Sequence, residues 1–142
     1  METVVRISPW ARMIEPGRGG SFSPIGTFTI TVQGYYYMIT GLWPVLHPAS
    51  FELVTGARAD YWLVVLVGVT AFAVGIGLVW SERQRNVVPR TWLLAIVASA
   101  AFLVIDLWYV ADVVIPRLYV LDAAAQFAFI GGALIGWRQT RH

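Results

Sequence analysis

The chain contains no cysteine. Thiol redox chemistry, thiolate metal sites and disulfide staples are therefore excluded. Lysine is missing as well, so all 10 basic residues are arginine. Charge as a whole is scarce, at 13% of 142 residues, where an ordinary soluble domain carries about 25%. Histidine occurs only at His47 and His142, too few for an imidazole-rich metal centre or a haem held by two axial histidines. No Ser-His-acid pattern with elbow glycines is present for nucleophilic catalysis. The chain also has no internal repeat and no low-complexity tract. Neither a metal nor a cofactor is expected.

Apolar residues fill the space that charge leaves: 58% of the chain is hydrophobic, and the mean hydropathy is +0.66. They gather in four runs, 28–46, 61–80, 92–115 and 119–137. Each is long enough to cross a bilayer, which takes about 20 residues at 1.5 Å rise. Lipid offers the backbone no hydrogen-bond partners, so such runs must be helices. None has the full polar face that a helix packed in water would need. The expected fold is an all-α membrane protein, with four transmembrane helices in an up-down bundle and a short interfacial helix after the first. Residues 1–27 read as a cytoplasmic N-terminal arm without a signal-peptide apolar core, and 138–142 as a cytoplasmic tail.

Four spans place the N-terminus, the second loop and the C-terminus on one side. That side holds Arg6, Arg12, Arg18, Arg83, Arg85, Arg90, Arg138 and Arg141, while Arg58 and Arg117 fall on the other. The positive-inside rule then puts both termini in the cytoplasm, with the protein in the inner (plasma) membrane. Arginines spaced this way, without interleaved stacking aromatics, suit anionic lipid headgroups and not nucleic acid. Trp80, Trp92 and Trp137 read as interfacial belt anchors.

Helix faces follow from the 100° step. Gly68, Ala71 and Gly75 form a small-residue packing stripe on the second span. On the third, Ala95, Ser99 and Phe102 lead to Asp106, so this acid should point inward. The fourth puts Asp122, Ala125, Gln126, Phe129, Gly132, Ala133 and Gly136 on one stripe. The first carries Gln33, Tyr36, Thr40, Trp43 and His47 at steps of three and four. Pro44 should kink its last turn and His47-Pro48 should end it. "SFELVTG" then reads as a helical turn closed by Gly56 in a left-handed cap, a lid that carries Glu52 over the mouth of the bundle.

Acids inside a span cost about 2.5–3.5 kcal/mol at a helix centre. Asp106 lies ten residues before Pro116, about 15 Å below the outer end. The candidate ligand-binding residues are Asp106, Tyr36, Thr40, Tyr109, Gln126, Trp43, His47, Glu52 and Asp122. Asp112 and Arg117 lie nearby as an interfacial acid and its natural counter-ion. Each has a plainer reading as well. Asp122 near a helix N-terminus can serve the dipole, His47 can cap a helix, and Asp106 can bond a hydroxyl. A buried acid beside Tyr and His in an apolar chamber can bind a ligand's amine or hydroxyl, or move a proton.

"GYYYMITGLWPVLHPASFELVTG", the following "DYWLV", "IDLWYV" and "YVLDA" resemble a group of small bacterial four-helix inner-membrane proteins of unassigned function. The likeness covers most of 34–126 and is sharpest at TGLWP and SFE.VTG. It implies a polytopic protein whose shared residues gather at one membrane face, and it implies no activity. A looser similarity, in helix count, aromatic content and buried acids, is to the EXPERA class of sterol isomerases and the sigma-2 receptor. That class holds buried acids in a membrane cavity that accepts sterol-like amphiphiles. The functional expectation is a membrane protein that binds a small amphiphile or lipid in a polar-floored cavity in the outer half of the bundle. The alternatives are a structural or accessory subunit, or homo-oligomer, of a membrane complex, and a lipid-modifying acid–base enzyme.

Overall fold

A computed structural model of the chain describes residues 24–56, 59–84, 89–111 and 119–140. They form five helices: α1 (Pro24–Leu46), α2 (Pro48–Thr55), α3 (Tyr61–Arg83), α4 (Pro89–Ala111) and α5 (Tyr119–Gln139). No strand occurs among the described residues. Three helices open on proline, whose fixed φ suits the first turn, where its missing N–H would have no partner anyway. These prolines account for α1 and α4 starting ahead of the apolar runs at 28 and 92. The last residues of the run 92–115 lie outside the described residues.

Three helices are long and apolar enough to cross a membrane: α3, α4 over Pro89–Trp108, and α5. This marks a membrane protein. α1, expected as a further span, is not among them. Its sequence is diluted by Thr27, Thr29, Thr31, Gln33, three consecutive tyrosines and Thr40. Several of these hydroxyls are satisfied within the helix itself. Thr29 and Thr31 each donate to the carbonyl four residues back at 2.9 Å, and Thr40 does so at 2.7 Å.

The four long helices pack antiparallel in the order α3, α1, α5, α4, with only a light contact closing α3 onto α4. The α1–α3 pairing rests on glycines seven residues apart on both helices. A Cβ on Gly34 would lie 3.0 Å from the Gly75 carbonyl, and one on Gly68 would lie 3.1 Å from the Pro44 ring. Gly41 and Gly68 meet in the same backbone-to-backbone manner. Close approach of this kind is what drives helices together in lipid, where no water is expelled. Gly132 and Gly136 are used within the chain too, against Thr29, Gly26 and the Trp92 ring.

Polarity runs inside out. Gln33, Ser99, Asp106 and Gln126 are buried, whereas Phe28, Ile39, Leu66, Val104, Leu121 and Phe127 face outward. A surface so apolar suits lipid and not water. Gly68, Ala71 and Gly75 of the α3 stripe are buried, as are Gln126, Ala133 and Gly136 of the α5 stripe, whereas Asp122, Ala125, Phe129 and Gly132 are half-buried and Ala123, outside that stripe, is buried. Trp92 corrects the belt reading. It is only 1% exposed and packs in the core with Ile30, Tyr37, Leu78, Ala95 and Ala133. Trp137 also packs against that core, and Trp80 alone of the three is largely exposed.

Candidate functional site

The interior polar residues form one connected cluster between α1, α4 and α5. Gln33 points its amide nitrogen at α4, donating to the Ala95 carbonyl at 2.9 Å and to Ser99 Oγ at 3.0 Å. Tyr37, one turn further along α1 and only 2% exposed, shares a 3.0 Å hydrogen bond with Ser99 Oγ. Its hydroxyl also donates to Gln126 Oε1 at 2.7 Å. The Gln126 amide nitrogen donates in turn to Asp122 Oδ1 at 3.1 Å. Tyr36 donates its hydroxyl to the same Asp122 oxygen. The path from Tyr37 through Gln126 ends on Asp122, which also receives the Tyr36 hydroxyl.

Asp122 sits in the first turn of α5, and Asp106 reaches it from α4. The Asp106 side chain is 5% exposed, and the Asp122 carboxyl is near enough to act on it electrostatically. Aromatic rings wall the cluster. Tyr36 and Phe129 have centroids 5.5 Å apart, and Tyr37 and Phe102 are 5.3 Å apart.

Among the described residues, two atoms of the cluster are buried without a hydrogen-bond partner: Gln33 Oε1 and Asp106 Oδ2. Both are acceptors. A buried polar group left unpaired is costly, so open acceptors in an otherwise saturated network invite a donor. No three His, Asp or Glu side chains come together as a metal site among the described residues.

The structure thus brings Asp106, Asp122, Tyr36 and Gln126 together. Thr40 lies one turn beyond Tyr36, with its hydroxyl committed to the Tyr36 carbonyl. The side chain of Tyr109, and Asp112 and Arg117, lie outside the described residues. Gln33 was legible as part of an inward face but not as a site residue, and Tyr37 and Ser99 are new to the site. The signal for Gln33 and Tyr37 was the spacing of Ile30, Gln33, Tyr37, Gly41 and Pro44, the buried seam of α1, and that for Ser99 was its place on the α4 stripe that leads to Asp106.

Trp43, His47 and Glu52 belong to a second cluster, around α2, and their contacts run to α1, α2 and α3. Trp43 Nε1 donates to Ser50 Oγ at 2.8 Å and takes Phe51 edge-on at 5.6 Å. His47 separates the two helices and caps α2, its Nδ1 accepting from the Ser50 N–H at 3.3 Å. Pro48 has no N–H to offer the Pro44 carbonyl four residues earlier. The Tyr61 hydroxyl takes that place, at 2.5 Å. Gly56 closes α2 with φ 86° and ψ 152°, its N–H donating to the Glu52 carbonyl at 2.8 Å. Its φ is positive as glycine permits, but the chain leaves extended instead of in the expected left-handed cap.

No family model matches this chain, and no curated protein or solved structure matches it.

Proposed function

We propose that this is an integral membrane protein of four spans, with both termini on the cytoplasmic side of the inner (plasma) membrane. It binds a small amphiphile or lipid by its head group in the outer half of the helix bundle. Asp106 carries the reading: a buried carboxyl facing a second carboxyl, with one oxygen open among the described residues. An acid at such a position costs about 2.5–3.5 kcal/mol even before an oxygen is left unpaired. A side chain kept only for packing would gain by closing that valence. The open atoms are acceptors, so the head group supplies a donor, an amine or a hydroxyl. Asp106 is its anchor, Asp122, Tyr36, Gln126 and Thr40 surround it, and the Phe102 and Phe129 rings take the apolar body. Tyr109, Trp43, His47 and Glu52 stand further out, toward the mouth.

A fourth span is supported by the outward residues of α1, Ile25, Phe28, Val32 and Ile39, which continue the apolar surface of its neighbours. The eight-to-two arginine split supports the orientation. The resemblance to small bacterial four-helix membrane proteins, and more loosely to the EXPERA class, points the same way. A second reading, a lipid-modifying acid–base enzyme, draws on the Tyr36 hydroxyl bound to Asp122, a proton donor already in contact with an acid. The accessory-subunit or homo-oligomer reading loses Gly132 and Gly136 as a free contact surface, since both are used within the chain.

The test is native mass spectrometry of gently extracted protein, wild type beside Asp106→Asn. A bound small molecule on wild type that is lost in the variant supports the reading and reveals the ligand's class. Equal occupancy of both removes Asp106 as the anchor. An empty protein in both cases leaves the accessory-subunit alternative. Turnover of a recovered lipid that disappears in Tyr36→Phe, with binding kept, selects the enzyme.

A further inference from the structure

α2 has eight residues and is held close to the ends of its neighbours. His47 alone separates it from α1, and α3 begins at Tyr61 soon after it ends at Thr55. One face is fixed to the rest of the protein by the Trp43–Ser50 hydrogen bond, the Trp43–Phe51 ring contact and buried Thr55. The opposite face presents Leu53, 87% exposed, and Val54, above Ser50 at the flank of the fixed face, is half exposed. Leu46, at the end of α1, and Trp62, at the start of α3, are exposed at the same end of the molecule. Val45 on α1 and Leu63 on α3, next to them in the chain, are exposed as well.

We propose that α2 is a foot seated in the bilayer. Leu46, Leu53, Val54 and Trp62 form one surface that enters the headgroup–acyl boundary of the adjoining leaflet, and this contact sets the depth of α1. The occupant is phospholipid, because the patch adjoins the outward apolar residues Val45 and Leu63 of the long helices and holds no basic residue among the described residues to select a charged partner. Tryptophan with leucine is the composition that settles at that boundary. α1 is also the long helix most in need of such a hold, since it is the one not apolar enough to pass as a span on composition. Its join to α2, through the Trp43–Ser50 hydrogen bond and the Ser50 N–H donated to His47, passes the anchorage on. The inference rests on the membrane reading and is independent of any bound ligand.

A chain without cysteine allows site-directed nitroxide labelling with no background. Leu53→Cys and Val54→Cys are labelled in phosphatidylcholine vesicles, with Phe127→Cys as lipid reference and Asp60→Cys as aqueous reference. Phe127 is 72% exposed on α5 and Asp60 lies in the turn before α3. Collisions with oxygen should exceed those with a nickel chelate at positions 53, 54 and 127, and the order should reverse at 60. A nickel-dominated signal at 53 and 54 would overturn the foot, and so would low collision with both reagents, which would mean a protein cover. An aqueous signal at Phe127→Cys instead defeats the membrane reading itself. For the depth claim, a nitroxide at Ile39→Cys should move toward the aqueous phase when Leu53→Asp is added. An unchanged depth overturns that part.

Discussion

Tyr37 shows what one hydroxyl does inside this protein. It joins Ser99 on α4 to Gln126 on α5 from a position on α1, so three helices share a single oxygen. Tyr37→Phe keeps the ring against Phe102 and removes only that junction, leaving Gln126 Oε1 without its donor. Interhelical hydrogen bonds in lipid are worth about 0.6–1.7 kcal/mol each, and the variant should lose stability in that range. Thr70→Val is the control, because the Thr70 hydroxyl bonds only to the Leu66 carbonyl of its own helix. Unfolding in mixed micelles with rising dodecyl sulfate measures both, and equal midpoints would remove the junction from the argument. Tyr37 was hard to read from sequence because it stands in a run of three tyrosines. The polar recurrence Gln33, Tyr36, Thr40 drew attention to the neighbour. Asp106 was readable because it ends a face that starts with small Ala95 and Ser99 and passes through Phe102 with a regular helical step.

The α1–α3 pair is the tightest joint between elements, and its glycines separate cleanly into two kinds. A Cβ on Gly75 would lie 2.5 Å from the Gly34 carbonyl and 2.9 Å from the Met38 nitrogen, both of them backbone. Gly75→Ala therefore has to push the helices apart, an overpacking cost of about 1–3 kcal/mol. Gly77 is two residues away on the same helix and has nothing within 4 Å of the added carbon. Gly77→Ala should be neutral or gain up to about 1 kcal/mol from helix propensity. The same unfolding assay decides, and a Gly75→Ala midpoint at or above that of Gly77→Ala would contradict the packing. The α3 half of this joint was legible as Gly68, Ala71 and Gly75. The α1 half was not, because Gly34 and Gly41 lie seven apart among tyrosines and threonines that gave the helix a polar look.

For the molecule as a whole, the open quantity is the number of crossings. Sequence hydropathy spread over four runs, while only α3, α4 and α5 meet the demands of a span on length and composition. The difference lies in where α1 keeps its polar groups, on the face turned toward α3, α4 and α5 and in hydroxyls bonded to their own helix. Averages over a window cannot see this. If α1 crosses, tags at the two termini report from the same side, and an impermeant maleimide on intact cells labels Asp60→Cys but not Arg138→Cys. Tags on opposite sides would mean three crossings and would reverse the orientation argued from the arginines.

The two halves of the interior also differ in what can dissolve them. Where α1 crosses α3, backbone meets backbone through absent side chains, and the polar links, Tyr61 to the Pro44 carbonyl and Arg83 to the Tyr35 hydroxyl, sit at the two ends of the pair. Where α1 meets α4 and α5, the hold depends on amide, phenol and carboxyl groups that water would gladly take. A short-chain surfactant that lets water into the protein should therefore undo the second contact first. The amide protons of α4 and α5 should then exchange with deuterium ahead of those of α3, and a reversed order would contradict this division. Extraction chemistry would thus read the molecule as two hairpin-like halves of unequal durability, a partition invisible while lipid surrounds them.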